Sequence, residues 1–232
     1  MPMPLKLLPL LLWALAGSAR AADETKSALA REPSGWTDLL PGKDLAGWKR
    51  IALAPDTKLG SKNPWKVEEG LLVCDGVGVK EMLLHDKELG DGILHVEWRF
   101  RKVADDKPDK NAEKKDYNSG VYVRTAADGR VWHQVQIAHQ DKPPLLGDVF
   151  GDTPVKGKIE RLVIRGKGSQ RAHPPGEWNT YEITAKGKSI AVWINGATTC
   201  TWDDCPLSKG HAGLQAEFFF IEFRNLKHKS LP

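Results

Sequence analysis

The chain has 232 residues, with 34 basic and 30 acidic side chains and a net charge of +4. That balance is too even for a nucleic-acid partner, which calls for a concentrated basic surface. The length suits one domain with one sizeable core, and no apolar segment reaches the roughly 20 residues that a membrane-spanning helix needs.

The chain begins with Lys6, a leucine-dense run over residues 7–16, and small residues up to Ala19-Arg20-Ala21. This is the pattern of a signal peptide cleaved after Ala21, so residues 1–21 are expected to direct a secreted or periplasmic protein with no stable membrane insertion after cleavage. An uncleaved N-terminal anchor is the alternative. Cleavage removes Lys6 and Arg20, which leaves 32 basic against 30 acidic residues, or net +2. Residues 22–34 are polar and alanine-containing without a persistent apolar stripe, and read as a loose leader to a folded domain over residues 35–232.

From Trp36 onward, short runs rich in Val, Ile, Tyr, Phe and Trp alternate with Gly, Asn, Asp and Pro clusters, the signature of strands joined by turns. Strands are expected at residues 65–68, 70–74, 92–101, 120–124, 132–138, 162–165, 178–185, 189–194, 212–216 and 221–226. Helix is scarce, so the fold class is all-β, a two-sheet antiparallel sandwich. Glu69-Gly70 and Lys186-Gly187-Lys188 lie between such runs and predict hairpins. Residues 104–116 alternate Asp and Lys around Pro108 and read as a solvated loop, with a lid over a pocket as the alternative. Cys200 and Cys205 bracket a short loop that a local disulfide would close in an oxidising compartment. Two reduced thiols are the other outcome, because spacing does not orient the side chains. Cys74 reads as a small buried hydrophobe.

Strand parity isolates the candidate site residues, since residues two apart share a face. Glu97 and Arg99 fall opposite Leu94, Val96, Trp98 and Phe100, while Tyr122 and Arg124 fall opposite Val121 and Val123. Trp132, Gln134 and Gln136 oppose His133, Val135 and Ile137, and Gln215 and Glu217 are again two apart. If these strands share a sheet, the polar sets converge on a surface suited to sugar, whose hydroxyls meet Gln, Glu and Arg and whose flat face meets Trp or Tyr. An ordinary solvated sheet face is the competing interpretation. Trp132 and Trp178 are the candidates for stacking on a ligand. The histidines form no spaced ligand set, Asp203-Asp204 reads as loop decoration, and neither GxSxG nor a phosphate loop is present.

The ordered segments Trp36-Thr37-Asp38-Leu39-Leu40, Trp65-Lys66-Val67-Glu68-Glu69-Gly70, Glu97-Trp98-Arg99, Asn118-Ser119-Gly120-Val121-Tyr122-Val123-Arg124, Gln134-Val135-Gln136, Trp193-Ile194-Asn195-Gly196 and Gly213-Leu214-Gln215 carry a resemblance. Together they resemble the 3-keto-disaccharide hydrolase domain family, from Trp36 to Leu231. The resemblance implies a concanavalin-like jelly roll whose concave sheet carries the site. It also implies glycosides whose C3 hydroxyl is oxidised to a ketone, because that ketone acidifies the C2 hydrogen and allows the anomeric substituent to leave. On this basis Glu97 or Glu217 is the expected base, Arg124 the cation for the enolate, and Tyr122, Trp132, Gln134, Gln136 and Gln215 the substrate binders. No cofactor is required, and a divalent metal is compatible with the chemistry. Many relatives carry Glu where this chain has Gln134 and a His near Gln215 where it has Glu217. A non-catalytic carbohydrate-binding module and a retaining glycosidase with paired carboxylates are the alternatives.

Overall fold

A computed structural model describes residues 25–53, 58–76, 80–102, 117–139 and 144–232. The segment 1–21 read as a signal peptide, the first residues of the expected leader and the charged segment 104–116 lie outside the described residues. Fifteen strands pair into two antiparallel sheets, with almost no helix among the described residues. One sheet holds β1 (Thr37–Asp38), β3 (Trp65–Glu68), β4 (Leu71–Cys74), β6 (Gly92–Phe100), β11 (Asn179–Lys186), β12 (Ser189–Ile194), β13 (Ala197–Trp202) and β15 (Ile221–Ser230). The other holds β2 (Trp48–Ala52), β5 (Lys80–Leu89), β7 (Tyr117–Thr125), β8 (Trp132–His139), β9 (Val149–Val155), β10 (Lys158–Ile164) and β14 (Gly210–Glu217).

The strand orders are β13-β12-β11-β6-β15-β4-β3, with β1 against β15, and β10-β9-β8-β7-β14-β5-β2. Every predicted strand is present. The strands not foreseen are β1, β2, β5, β9 and β13. β5 escaped because Glu81, Met82, Leu83 and Leu84 are buried in succession, which removes the alternation that marks a half-buried strand.

The core lies between the sheets and is built from one parity class of each strand. Leu94, Val96, Trp98 and Phe100 of β6, with Tyr181 and Phe223 of the same sheet, share one buried cluster with Val121, Val123, Val135, Ile137 and Leu214 of the other sheet. The two-residue turns Glu69-Gly70, Lys156-Gly157 and Asn195-Gly196 all take positive φ, the backbone that matches strand twist in tight hairpins. The first of these was legible as a hairpin.

Two features differ from expectation. In the stretch read as a loose leader, Ala28–Arg31 forms a single helical turn capped by Ser27, here α1. Its Ala28 and Leu29 amides donate to the buried Glu182 carboxylate at 2.6 and 3.1 Å. The expected Cys200–Cys205 disulfide is absent, and all three cysteines are free and buried. Cys200 belongs to β13 and its Sγ points to the Arg165 carbonyl, while the Cys205 Sγ lies 3.5 Å from the Leu207 carbonyl. Burial pushes the Cys200 thiol up to about 11 and the Cys74 thiol up to about 12.

Candidate functional site

The outward face of the β10-β9-β8-β7-β14-β5-β2 sheet is hollowed to a volume of about 560 Å³. Neighbouring strands supply its walls through their register. Trp132 of β8 stands opposite Asp152 of β9, which stands opposite Arg161 of β10. Gln134 pairs with Tyr122 on one side and Phe150 on the other. Gln136 pairs with Gly120, Gln215 with Met82, and Glu217 with Lys80.

The side chains follow that register. The Trp132 indole N–H donates to Asp152 at 3.0 Å, and the Arg161 guanidinium, 3.3 Å from the same carboxylate, lies over the indole ring at 4.8 Å. Gln134 donates to the Gln215 carbonyl oxygen, Gln215 donates to Glu217 Oε2 at 2.6 Å, and Lys80 Nζ is 2.7 Å from Glu217 Oε1. Gln136 donates to Asn118 Oδ1 at 2.6 Å, and its own backbone carbonyl is held by the buried Tyr181 hydroxyl. The result is a chain of amides ending in a carboxylate, beside an aromatic wall of Trp132 and Phe150. Such a surface recognises hydroxyl-rich, partly apolar ligands, since each amide offers both donors and acceptors.

Of the expected site residues, the hollow brings together Trp132, Gln134, Gln136, Gln215 and Glu217. Tyr122 has the predicted parity but no contact with solvent. It packs with Met82, Leu84 and Trp132 beneath the hollow, and burial pushes its hydroxyl pKa up. It supports the site rather than lining it.

Glu97 and Arg124 are corrections. β6 belongs to the opposite sheet, so the polar face of Glu97 points away from the hollow. The Glu97 carboxylate accepts from Arg224 at 2.6 Å and Asn225 at 2.8 Å, and its Oε1 lies 3.7 Å from His95. The approach of His95 is the largest influence holding Glu97 down at about 2, with Asn225 and Arg224 adding to it against the opposing effect of burial. A carboxylate held this way is a poor general base. Burial opposes charge on His95 itself, but Glu182 and Glu97 outweigh it and its pKa is raised. Arg124 takes a φ of 46°, which turns it out of the strand alternation. Its guanidinium is buried against Asp91 at 2.8 Å and the Gly187 carbonyl at 2.6 Å. Trp178 also lies away from the hollow, with the guanidinium groups of Arg99 and Arg224 over its ring at 4.6 and 4.0 Å.

Reasoning from sequence missed Asn118, Phe150, Asp152, Arg161 and Lys80. Asn118 shares the parity of Gly120 and Tyr122 and was open to the same argument. β9 and β5 were unrecognised strands. A divalent metal does not fit the donor set, because Asp152 is taken by Trp132 and Arg161 and Glu217 by Gln215 and Lys80. Among the described residues no three His, Cys, Asp or Glu side chains form a group able to hold one.

With this geometry in place, the sequence matches the 3-keto-alpha-glucoside-1,2-lyase-like domain over residues 35–229. The chain belongs to that family. The fold recurs in solved structures of low identity. Two come from Parabacteroides distasonis ATCC 8503 and are provisionally named glycosyl hydrolases. One is 22% identical with a TM-score of 0.58, covering 84% of this chain and 99% of that one. The other is 19% identical with a TM-score of 0.57, covering 90% and 99%. The Bacillus subtilis carbohydrate-binding module CBM66 is 12% identical with a TM-score of 0.54, covering 79% and 96%. At these identities the likeness establishes the jelly-roll sandwich. No curated protein is matched by the sequence.

Proposed function

We propose that the hollow binds a glycoside whose C3 hydroxyl has been oxidised to a ketone, and that Glu217 starts its cleavage by taking the proton from C2. The observation that carries this reading is the convergence of Trp132, Gln134, Gln136, Gln215 and Glu217, from β8 and β14, in one sugar-sized hollow. Membership of the lyase-like family supports the substrate class. With Glu97 on the other sheet, Glu217 is the expected carboxylate that remains.

Removal of the C2 proton leaves an enolate on the C3 oxygen, which then collapses with loss of the anomeric substituent. The Gln134 amide spends one N–H on Gln215 and keeps a second for a sugar oxygen. Preorganised donors of this kind stabilise a developing oxyanion because they need no reorientation during the reaction. Trp132 and Phe150 supply the apolar wall for the pyranose face. Replacing Glu217→Gln is expected to slow release of p-nitrophenol from p-nitrophenyl 3-keto-glucoside by about 10²–10⁴-fold, the range for a lost general base. Unchanged turnover would remove the assignment.

One observation favours the alternative of a non-catalytic carbohydrate-binding module: both Glu217 oxygens are already engaged, by Gln215 and by Lys80. In that case Glu217→Gln leaves no turnover to lose, and the protein binds glycosides without converting them. We further propose that the protein is exported through residues 1–21, on the strength of the leucine-dense run and the Ala19-Arg20-Ala21 cleavage pattern.

A further inference from the structure

The cation expected to serve the site, Arg124, is pinned at the end of the sandwich, yet cleavage by elimination releases an oxygen that needs a proton when the departing alcohol is weakly acidic. Lys80 opens β5 directly opposite Glu217 on β14, and its Nζ lies 2.7 Å from Glu217 Oε1. An exposed cross-strand ion pair contributes little as a stabilising contact, and Lys80 is 54% exposed. What sets this pair apart is its place at the end of the Gln134–Gln215–Glu217 chain. The carboxylate it meets is the one inside the hollow, with 14% of its side-chain surface exposed.

We propose that Lys80 is the general acid of the reaction, delivering a proton to the oxygen that leaves C1 while Glu217 takes the proton from C2. The inference rests on the 3-keto-glycoside reading given above. C1 and C2 are bonded to each other, so a base at the C2 hydrogen and an acid at the C1 oxygen must stand side by side. Glu217 and Lys80 do so. The C2–H bond breaks toward the Glu217 carboxylate, and its electron pair forms the C2–C3 enolate. As the C3 carbonyl re-forms, that pair becomes the C1–C2 double bond. The C1–O bond then breaks, and the departing oxygen takes a proton from the Lys80 ammonium. The site is left with a neutral carboxyl and a neutral amine in contact. An amine is far more basic than a carboxylate, so the proton passes from Glu217 to Lys80 and restores the starting pair without an outside reagent.

The test compares two glycosides of the same 3-keto-glucose, one with p-nitrophenol and one with methanol as the departing alcohol. p-Nitrophenolate leaves without a proton and methoxide does not. Lys80→Gln in the full chain is expected to lose about 10²–10³-fold in kcat/KM on the methyl glycoside and under about 10-fold on the p-nitrophenyl glycoside. Lys80→Arg keeps the positive charge but holds its proton too tightly to give it up, so it should remain as slow as Lys80→Gln on the methyl glycoside. Equal losses on both glycosides, no loss on either, or full recovery in Lys80→Arg would each overturn the role. Thermal melting of both variants checks that the fold is intact, as expected for a half-exposed side chain. Exchange of the C2 hydrogen of the methyl glycoside with deuterated solvent separates the two levels of the argument. Exchange that disappears in Glu217→Gln but persists in Lys80→Gln leaves the base in place and isolates the acid. If wild type neither exchanges this hydrogen nor cleaves either glycoside, the 3-keto-glycoside reading falls and the role of Lys80 falls with it.

Discussion

Gln134 reaches Gln215 only because residue 120 has no side chain. A Cβ built on Gly120 would stand 1.9 Å from Gln134 Nε2 and 2.5 Å from its Cδ and Cγ. The glycine is therefore a passage for the amide that links β8 to β14. Gly120→Ala should push Gln134 off Gln215, costing about 1–3 kcal/mol of stability from overpacking. Loss of an aligned hydrogen bond to the sugar should raise KM for a 3-keto-glycoside about tenfold. Gly90→Ala, which meets nothing within 4 Å, serves as the control. Equal KM values for the two variants would show that the amide chain does not bind substrate. At this scale the sequence was informative wherever alternation held. Trp132, Gln134 and Gln136 do share the hollow's side of β8, and Val135 and Ile137 do enter the core. It failed where the backbone leaves alternation, as at Arg124, and where parity gave the side of the sheet but not the depth, as at Tyr122.

At the scale of the element, parity says which residues of one strand travel together but not which sheet the strand joins. Glu97 and Gln136 were equally good members of a polar face, and only the strand order separates β6 from β8. What β6 carries instead is an ionic cluster on the outer face of its sheet. There Glu97 meets Arg224, Asn225 and His95, and Glu182 holds the start of α1. The carboxyl of Glu97 is held at about 2 against an ordinary 4.5. Its stabilising effect is therefore complete above about 4.5 and is lost as the pH falls from there toward about 2. The melting temperatures of wild type and Glu97→Gln should differ most above that window and converge within it, as followed by circular dichroism. A gap that stays constant through the window would show that the ionised carboxylate does not stabilise the fold. Lys80 and Asp152 were unreadable for a related reason. β5 is buried on both faces near Glu81, and β9 contains Gly151 and Pro154, residues that weigh against a strand.

For the molecule as a whole, fold class was the most legible property, because turn signals and short β-rich runs recur along the domain whatever sheet each run joins. The proposed export of the chain is a whole-chain inference of a different kind, resting on residues 1–21 alone. Expressed with its own N-terminus in a bacterial host, the protein should be recovered from the periplasm or the medium with Ala22 as its first residue by N-terminal sequencing. Cytoplasmic retention with Met1 intact would overturn that proposal. The strand order also bears on how the domain completes its fold. β15 lies between β6 and β4 and also carries β1. Until residues 221–230 have left the ribosome, β4 and β6 lack their common neighbour and that sheet has a gap at its centre. A chain that lacks residues 221–230 thus has no finished sheet to lock into, and that half of the sandwich sets only once they are in place.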